Sequence, residues 1–259
     1  MKPSLPLKMT LMGFLALGLA CPTEGESDYD EVYVQGHRCL VVEPADLPPH
    51  APVVVMLHGF GGNGFEQLAL YEQLDLPPCL VVLPDGLLPA GNSSSGARAW
   101  YNRYTHSRKD MEKSREYLFE VMNRFSKESL DRTMPGNNSN PRSVIILGFS
   151  QGAAMSLEAG LNYKGNIEAI VSMSGYMEYP QKTLAHPTDP RQTPILLVRG
   201  ERDPVILEED TQETIRSLRR AGYHPALKEF PIGHKISYHS KMEVSNFLRK
   251  VFEQNHQDN

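Results

Sequence analysis

Five short runs of almost uninterrupted apolar residues constrain the fold of this chain more than any other feature. These runs are Val53–Leu57, Leu80–Leu83, Val144–Leu147, Ile167–Met173 and Ile195–Val198. A strand that is apolar at nearly every position is buried on both faces, so the runs predict the interior of a parallel sheet. Helical patterns fill the intervals, which predicts an α/β protein with helices on both faces of a mostly parallel central sheet.

Weaker segments extend this pattern towards the two ends of the chain. Val32–Val34 and Arg38–Glu43 flank a short turn, which predicts an antiparallel hairpin at the N-terminal edge of the sheet, and Ala226–Phe230 predicts a last strand. We see no repeat or long linker, so we expect a single domain over residues 28–255. The expected helices are Asp110–Ser129, Ser150–Leu161, Glu208–Ala221 and Lys241–Gln254.

The first 21 residues have the pattern of an export signal. Lys2 and Lys8 precede the apolar run Leu11–Ala20, and the sequence turns polar after Cys21. Ten residues that rise about 1.5 Å each cannot cross about 30 Å of hydrocarbon. The pattern therefore predicts a signal peptide over residues 1–21 and a secreted or periplasmic protein. Cys21 lies near the position of a lipidated cysteine, so membrane anchoring through a lipid is left open.

Charge and cysteine content bear on the partners of the protein. The chain holds 26 basic and 31 acidic residues, a net charge of −5. An acidic chain gains little by displacing counterions from nucleic acid, so we expect no nucleic-acid partner. Cys39 and Cys79 lie beside apolar strands, which favours buried free thiols but leaves a disulfide open. Their spacing matches no metal site.

The segment Gly148-Phe149-Ser150-Gln151-Gly152 lies directly between a predicted strand and a predicted helix. This is G-x-S-x-G in the strand-turn-helix context in which the serine hydroxyl is lifted clear of a sheet. The turn is so tight that it requires glycine on both sides of the serine. A serine hydroxyl is a weak nucleophile at neutral pH, so it needs a nearby base and a carboxylate that orients the base.

Two later loops provide candidates for these groups. Asp203 follows the strand Ile195–Val198, although an Asp-Pro pair can also simply form a turn. His234 follows the last strand and completes the order Ser, Asp, His in which this arrangement occurs. We predict Ser150, Asp203 and His234 as a catalytic triad, with His239 as the rival base.

A glycine-rich segment, residues 58–64, follows the first buried strand. Glycines there let the backbone approach the nucleophile, and we expect the amides of Phe60 and Gln151 to form an oxyanion hole, worth roughly 3 kcal/mol per donor. A phosphate-binding loop is not favoured, because neither G-x-G-x-x-G nor G-K-[ST] is present. We expect His58 to be a hydrogen-bonded structural residue.

Taken together, these motifs resemble those of the phospholipase/carboxylesterase family of α/β-hydrolases, which includes the acyl-protein thioesterases. The resemblance extends over residues 52–252, with Trp100-Tyr101-Asn102 where the family usually has Trp-Phe-Asp. It implies the α/β-hydrolase fold and hydrolysis of carboxylic esters or thioesters through an acyl-enzyme, without a metal or organic cofactor. Residues 175–193 are too few for a large cap domain.

The expected substrate is a small-molecule ester or thioester with a short or medium acyl group. We expect Leu87, Leu88, Trp100 and Met173 to line an open cleft, although the same residues can belong to the core. The main hypothesis is therefore a carboxylesterase, lysophospholipase or thioesterase. A feruloyl or acetyl-xylan type polysaccharide esterase and a serine peptidase of the same fold are alternatives, and a binding module without activity is an alternative of another class.

Overall fold

The computed structural model describes residues 28–91, 96–127, 141–185, 187 and 192–257. The signal peptide predicted over residues 1–21, with Cys21, lies outside these residues. Among the helices that the structure describes, none combines the length and the apolar character needed to cross a bilayer.

The described residues form ten strands and six helices. The strands are β1 (Asp30–Val34), β2 (His37–Val42), β3 (Val53–Leu57), β4 (Leu80–Pro84), β5 (Leu88–Pro89), β6 (Arg98–Ala99), β7 (Val144–Phe149), β8 (Ile167–Met173), β9 (Ile195–Gly200) and β10 (Ala226–Phe230). The helices are α1 (Gly64–Tyr71), α2 (Arg108–Lys127), α3 (Gln151–Gly160), α4 (Pro180–Thr183), α5 (Glu208–Arg220) and α6 (Tyr238–Gln257).

Eight of the strands form one sheet in the order β1-β2-β4-β3-β7-β8-β9-β10. β1 pairs antiparallel with β2, and β2 antiparallel with β4, whereas the other neighbours are parallel. The predicted α/β-hydrolase fold, with a mostly parallel sheet and an antiparallel N-terminal edge, is confirmed. β5 and β6 form a separate two-stranded ribbon.

The sheet separates two hydrophobic cores, because successive residues of a strand face opposite sides. In β3, Val53, Val55 and Leu57 pack on the side of α2, α3 and α5, and Val54 and Met56 pack on the side of α1 and α6. All five β3 residues are buried, as the continuous apolar run predicts. Because the neighbouring strands from β4 to β10 are parallel, their carboxyl ends lie along one edge of the sheet.

The two cysteines belong to opposite faces of the sheet. Cys39 packs in the core with α2, and Cys79 packs in the core with α6. Both are buried and free, so the expectation of free thiols is confirmed and a disulfide between them is excluded.

Four elements were not predicted from the sequence, namely α1, the two strands of the β5–β6 ribbon and α4. α1 was not predicted, because its glycine-rich start is typical of a loop. Its N-cap is Asn63, whose side-chain oxygen accepts hydrogen bonds from the amides of Phe65 and Glu66. The β5–β6 ribbon consists of two strands of two residues each, which are too short to leave an alternating pattern in the sequence. Between β8 and β9 the described residues hold only the four-residue helix α4, and no large cap is evident.

Candidate active site

Ser150 lies at the sharp turn between β7 and α3. Its backbone has φ of +54° and ψ of −116°, and its amide donates a hydrogen bond to the carbonyl of Met173 at 2.9 Å. A positive φ is uncommon for a residue with a side chain and costs on the order of 1–3 kcal/mol. The packed sheet holds the serine in this strained conformation at the carboxyl edge of the strands.

The two glycines of the G-x-S-x-G segment allow this turn to form. A Cβ at Gly148 would lie 2.2 Å from the carbonyl oxygen of Gly152, and a Cβ at Gly152 would lie 2.3 Å from the carbonyl oxygen of Leu57. Both obstacles are backbone atoms, which cannot move without shifting a strand or a helix. The turn therefore requires glycine on both sides of Ser150.

The structure brings Ser150, His234 and Asp203 into direct contact. The Nε2 atom of His234 lies 2.8 Å from Oγ of Ser150, and its Nδ1 atom lies 2.7 Å from Oδ2 of Asp203. An ionised carboxylate only accepts hydrogen bonds, so Nδ1 carries the proton and Nε2 accepts from the serine hydroxyl. In this tautomer the imidazole can take a proton from Ser150.

Asp203 is held as an ionised carboxylate. Burial acts to raise its pKa, but hydrogen bonds from the amide of Ile206, from His234 and from the amide of Val205 outweigh burial and lower the pKa. One carboxylate oxygen thus accepts the two amides and the other accepts the imidazole. This fixes both the charge of Asp203 and the orientation of the ring.

Backbone hydrogen bonds connect the loop that carries Asp203 to the loop that carries His234. The amide of Glu201 donates to the carbonyl of Phe230 at 2.8 Å, and the amide of Arg202 donates to the carbonyl of Ile232 at 3.0 Å. These bonds continue the pairing of β9 with β10 beyond the strands. They hold the two loops in register at the sheet edge.

His239, the rival base, lies elsewhere. It is exposed near the start of α6, and its ring makes an edge-on contact with the ring of Tyr238 at 5.6 Å between centroids. The helix begins at Tyr238, three residues before its predicted start, and this places His239 on the helix surface. Of these two histidines, His234 is the one that contacts Ser150.

Gln151 faces the site with its backbone and the protein interior with its side chain. As the first residue of α3, it has an amide without an intrahelical acceptor, and it lines the same cleft as Phe60 and Ser150. Its buried side chain accepts from the amide of Trp100 and donates to the carbonyl of Tyr101, both at 2.8 Å. Gln151 therefore ties the start of α3 to the loop after β6.

His58 is a structural residue, as expected. Its Nδ1 donates to the carbonyl of Gly59 at 2.7 Å, and its Nε2 accepts from the amide of Gly86 at 2.9 Å. Its ring stacks on that of Trp100 and is fully buried. Burial lowers the pKa of His58 to about 4, against a smaller raising effect of the bond to Gly59, so the ring is neutral at physiological pH.

The four residues expected to line the cleft are placed elsewhere. Trp100 is fully buried and donates from Nε1 to the carbonyl of His58, and Met173 is buried in the sheet core. Leu87 packs against the other core, and Leu88 lies in β5. Apolar residues next to turn-rich sequence can face either the cleft or the interior. Here Trp100, Met173 and Leu87 pack in or against the two cores, and Leu88 is half-buried in the ribbon.

A cleft of about 370 Å³ lies beside Ser150. Sequence reasoning missed most of its lining. The signal that could have indicated Glu178 is its position shortly after the buried strand β8, because residues there reach the same sheet edge as Ser150. In the described part of the chain, no group of three or more His, Cys, Asp or Glu residues could hold a metal ion. The cleft is lined by Gly59, Phe60, Tyr101, Arg103, His106, Phe149, Ser150, Gln151, Ala154, Tyr176, Glu178, Val205, Ile206 and His234.

Comparison with known proteins identifies the family. The family model described as phospholipase/carboxylesterase matches residues 37–252. The chain belongs to the phospholipase/carboxylesterase family. This membership confirms the resemblance drawn from the motifs, and it confirms that the chain is a hydrolase of the serine type.

Relatives of this family member include acyl-protein thioesterases. Acyl-protein thioesterase 1 of Gibberella zeae is 38% identical over 115 residues, which are 42% of this chain and 48% of that protein. Acyl-protein thioesterase 1 of Neurospora crassa is 23% identical over 220 residues, 77% of this chain and 86% of that protein. The crystal structure of esterase PE8 has the same fold, with 24% identity, a TM-score of 0.67 and coverage of 82% of this chain and 97% of that one.

The prediction of an exported protein, secreted, periplasmic or lipid-anchored, was wrong. The relatives include acyl-protein thioesterase 1 from Gibberella zeae, Yarrowia lipolytica and Saccharomyces cerevisiae, and this similarity overturns export and gives no support to a signal peptide or to lipidation of Cys21. An apolar run of ten residues is a weak signal, because buried and interfacial helices have runs of the same length.

Proposed function

We propose that this family member hydrolyses carboxylic esters or thioesters with short or medium acyl groups, using Ser150 as nucleophile, His234 as base and Asp203 as its orienting carboxylate. The observation that carries this proposal is the pair of contacts at 2.8 Å and 2.7 Å that links the three side chains. They come from three loops that follow three different strands. We also propose that residues 28–255 form a single domain around the one central sheet.

In the acylation step, Oγ of Ser150 attacks the acyl carbon and gives its proton to Nε2 of His234. The electron pair of the carbonyl moves to its oxygen, where the amides of Phe60 and Gln151 are proposed to donate hydrogen bonds. When the tetrahedral intermediate collapses, the bond to the alcohol or thiol breaks, and the leaving group takes the proton from Nε2. Each amide donor lowers the barrier by roughly 3 kcal/mol.

In the deacylation step, water repeats the attack on the acyl-enzyme. Nε2 of His234 removes a proton from the water and then returns it to Oγ of Ser150, which releases the carboxylic acid. Asp203 remains ionised throughout and stabilises the imidazolium that forms in both steps. Its lowered pKa supports this role.

The size and lining of the cleft support short or medium acyl groups. The cleft of about 370 Å³ lies at the small end of the range for small-molecule sites, and Val205 and Ile206 contribute apolar surface to it. The name of the relatives called acyl-protein thioesterase 1 supports thioesters of acylated proteins as a second substrate class. We therefore propose a small-molecule ester or thioester, or an acylated protein, as substrate.

The nucleophile is tested by labelling with a fluorophosphonate probe. We expect the wild-type protein and the matched control His239→Ala to react, and Ser150→Ala to remain unlabelled. The control removes an exposed imidazole on α6 and leaves intact the two contacts that join Ser150, His234 and Asp203. Equal labelling of Ser150→Ala would end the assignment of the nucleophile.

Substrate class is tested with p-nitrophenyl esters from acetate to palmitate, matched thioesters and peptide anilides. We expect turnover of the acetate to octanoate esters and thioesters without turnover of anilides, and a far larger loss of kcat/KM in His234→Ala than in His239→Ala. Turnover of anilides would favour a peptidase. Exclusive turnover of feruloyl or acetylated xylan substrates would favour a polysaccharide esterase.

A further inference from the structure

One wall of the cleft beside Ser150 is charged, and the proposed mechanism does not use it. Arg103 and His106 come from the loop between β6 and α2, and Glu178 comes from the loop after β8. Tyr101 and Tyr176 complete this wall. These three charged side chains differ in how many of their hydrogen-bonding groups remain available to a substrate.

The carboxylate of Glu178 is occupied by the protein itself. It accepts hydrogen bonds from the hydroxyl of Tyr101 and from Nδ1 of His106, both at 2.9 Å. Only 7% of the Glu178 side chain is exposed. Its negative charge is therefore compensated by hydrogen-bond donors of the protein and is largely shielded from the cleft.

His106 is held by this carboxylate but remains open to solvent. The contact uses Nδ1, so Nε2 is left for other partners, and 51% of the side chain is exposed. In the protonated form Nε2 carries an N–H donor. The backbone of His106 has φ of +45°, an uncommon conformation that the surrounding loop must maintain.

Arg103 is a cation without a carboxylate partner among the described residues. Its guanidinium lies over the ring of Phe60 at 4.9 Å from the centroid and near the ring of Tyr104 at 5.4 Å. A guanidinium that stacks on an aromatic face keeps the N–H groups at its edge available for an anion. In a chain with a net charge of −5, such a cation lies directly at the mouth of the cleft.

From these contacts, and resting on the esterase function proposed above, we infer that Arg103 and His106 form a binding subsite for an anionic group of the substrate, a carboxylate or a phosphate. The substrate class is then an ester or thioester that carries this anion on its acyl group or on its leaving group. Arg103 donates from the guanidinium edge, and His106 donates from Nε2 when its ring is protonated. Glu178 and Tyr101 position His106 without contacting the anion.

The test compares anionic substrates with neutral analogues of similar size. For an anion on the acyl group, p-nitrophenyl hydrogen glutarate is compared with p-nitrophenyl pentanoate. For an anion on the leaving group, the butyrate esters of 4-hydroxybenzoate and of 4-hydroxyphenyl phosphate are compared with that of 4-hydroxybenzamide. The ratio of kcat/KM for anionic over neutral substrate is measured for each variant at low ionic strength, so that intrinsic reactivity cancels between variants.

We expect Arg103→Met to lower this ratio about tenfold in the arm that matches the natural substrate, because a charge-assisted hydrogen bond is lost. Arg103→Lys should restore part of the ratio, and His106→Gln should also lower it. The matched control Arg219→Met removes an exposed arginine on α5, outside the cleft, and should leave the ratio unchanged. High salt should reduce the wild-type ratio.

An unchanged ratio in Arg103→Met, or equal losses for anionic and neutral substrates, would overturn the inference and leave Arg103 as a packing partner of Phe60. If Arg219→Met lowers the ratio equally, the effect comes from the net charge of the protein and not from the cleft, and the inference is overturned as well. Hydrolysis of neutral esters distinguishes failure of the subsite inference from failure of the proposed function. If Ser150→Ala still hydrolyses them, the proposed function is wrong, whereas Ser150-dependent turnover without an Arg103-dependent ratio contradicts the subsite alone.

Discussion

Lowering the pH from 8 to 5 is expected to destabilise the folded protein by about 2 kcal/mol through His58 alone. The ring is buried, its Nδ1 already donates to Gly59, and its Nε2 accepts from the amide of Gly86. A second proton would have to sit on Nε2, directly opposite that N–H. Burial therefore lowers the pKa from an ordinary 6.5 to about 4 in the folded state.

The sign of the effect follows from these two pKa values. Below pH 6.5 the His58 ring of the unfolded chain binds a proton, whereas the ring in the folded protein binds one only near pH 4. The stabilisation is thus complete above pH 6.5 and is lost as the pH falls towards 4, where the loss levels off at about 3 kcal/mol. At pH 5 most of this loss has occurred.

Urea unfolding of the wild-type protein and of His58→Gln at pH 8, 6.5 and 5 measures the effect. Glutamine offers a donor and an acceptor but does not titrate in this range, and every other group titrates in both proteins and cancels in the difference. If His58→Gln does not fold, an NMR titration of the His58 ring in the wild type replaces it. Parallel pH dependences of the two proteins, or a His58 that titrates near pH 6.5, would refute the reasoning.

Three further outcomes are expected. Asp203→Asn should lower kcat on p-nitrophenyl butyrate about 10³- to 10⁴-fold, because an amide no longer stabilises the imidazolium, and a loss of less than tenfold would contradict its role. Gly152→Ala should lower the free energy of unfolding in urea by more than about 2 kcal/mol, since its Cβ would lie 2.3 Å from the Leu57 carbonyl, and a change below about 0.5 kcal/mol would contradict this crowding. Burial raises the pKa of Cys39 to about 11 and of Cys79 to about 12, so neither thiol should react with a disulfide reagent at pH 8 until urea unfolds the chain, whereas rapid labelling of the native protein would show that they are accessible.

The parts of the fold that follow from local pattern were predictable. β3 is buried on both faces, and its five apolar residues indicate this directly. The positions of Ser150, Asp203 and His234 after their strands indicated that they lie at one edge, since the carboxyl ends of parallel strands meet there. Their contact distances depend on side-chain packing and hydrogen bonds between loops, which no local pattern contains.

The parts that depend on tertiary contacts were not predictable. Trp100 was expected to line the cleft, but its indole N–H finds an acceptor in the carbonyl of His58, and that partner lies 42 positions away along the chain. α1 begins within a glycine-rich segment and is indicated only by its cap, Asn63. Glu178 and His106 meet across 72 positions, and their pairing has no sequence signature.

The side chain of Gln151 joins the segment that carries the β5–β6 ribbon to the start of α3, and this makes the two a single unit for protein engineering. A graft that replaces residues 85–101 has to return an N–H at position 100 and a carbonyl at position 101 to the same places, because both are bound by Gln151. Proline at position 100 would delete the donor outright. Libraries that diversify substrate preference are therefore better directed at positions 103–106, downstream of this connection.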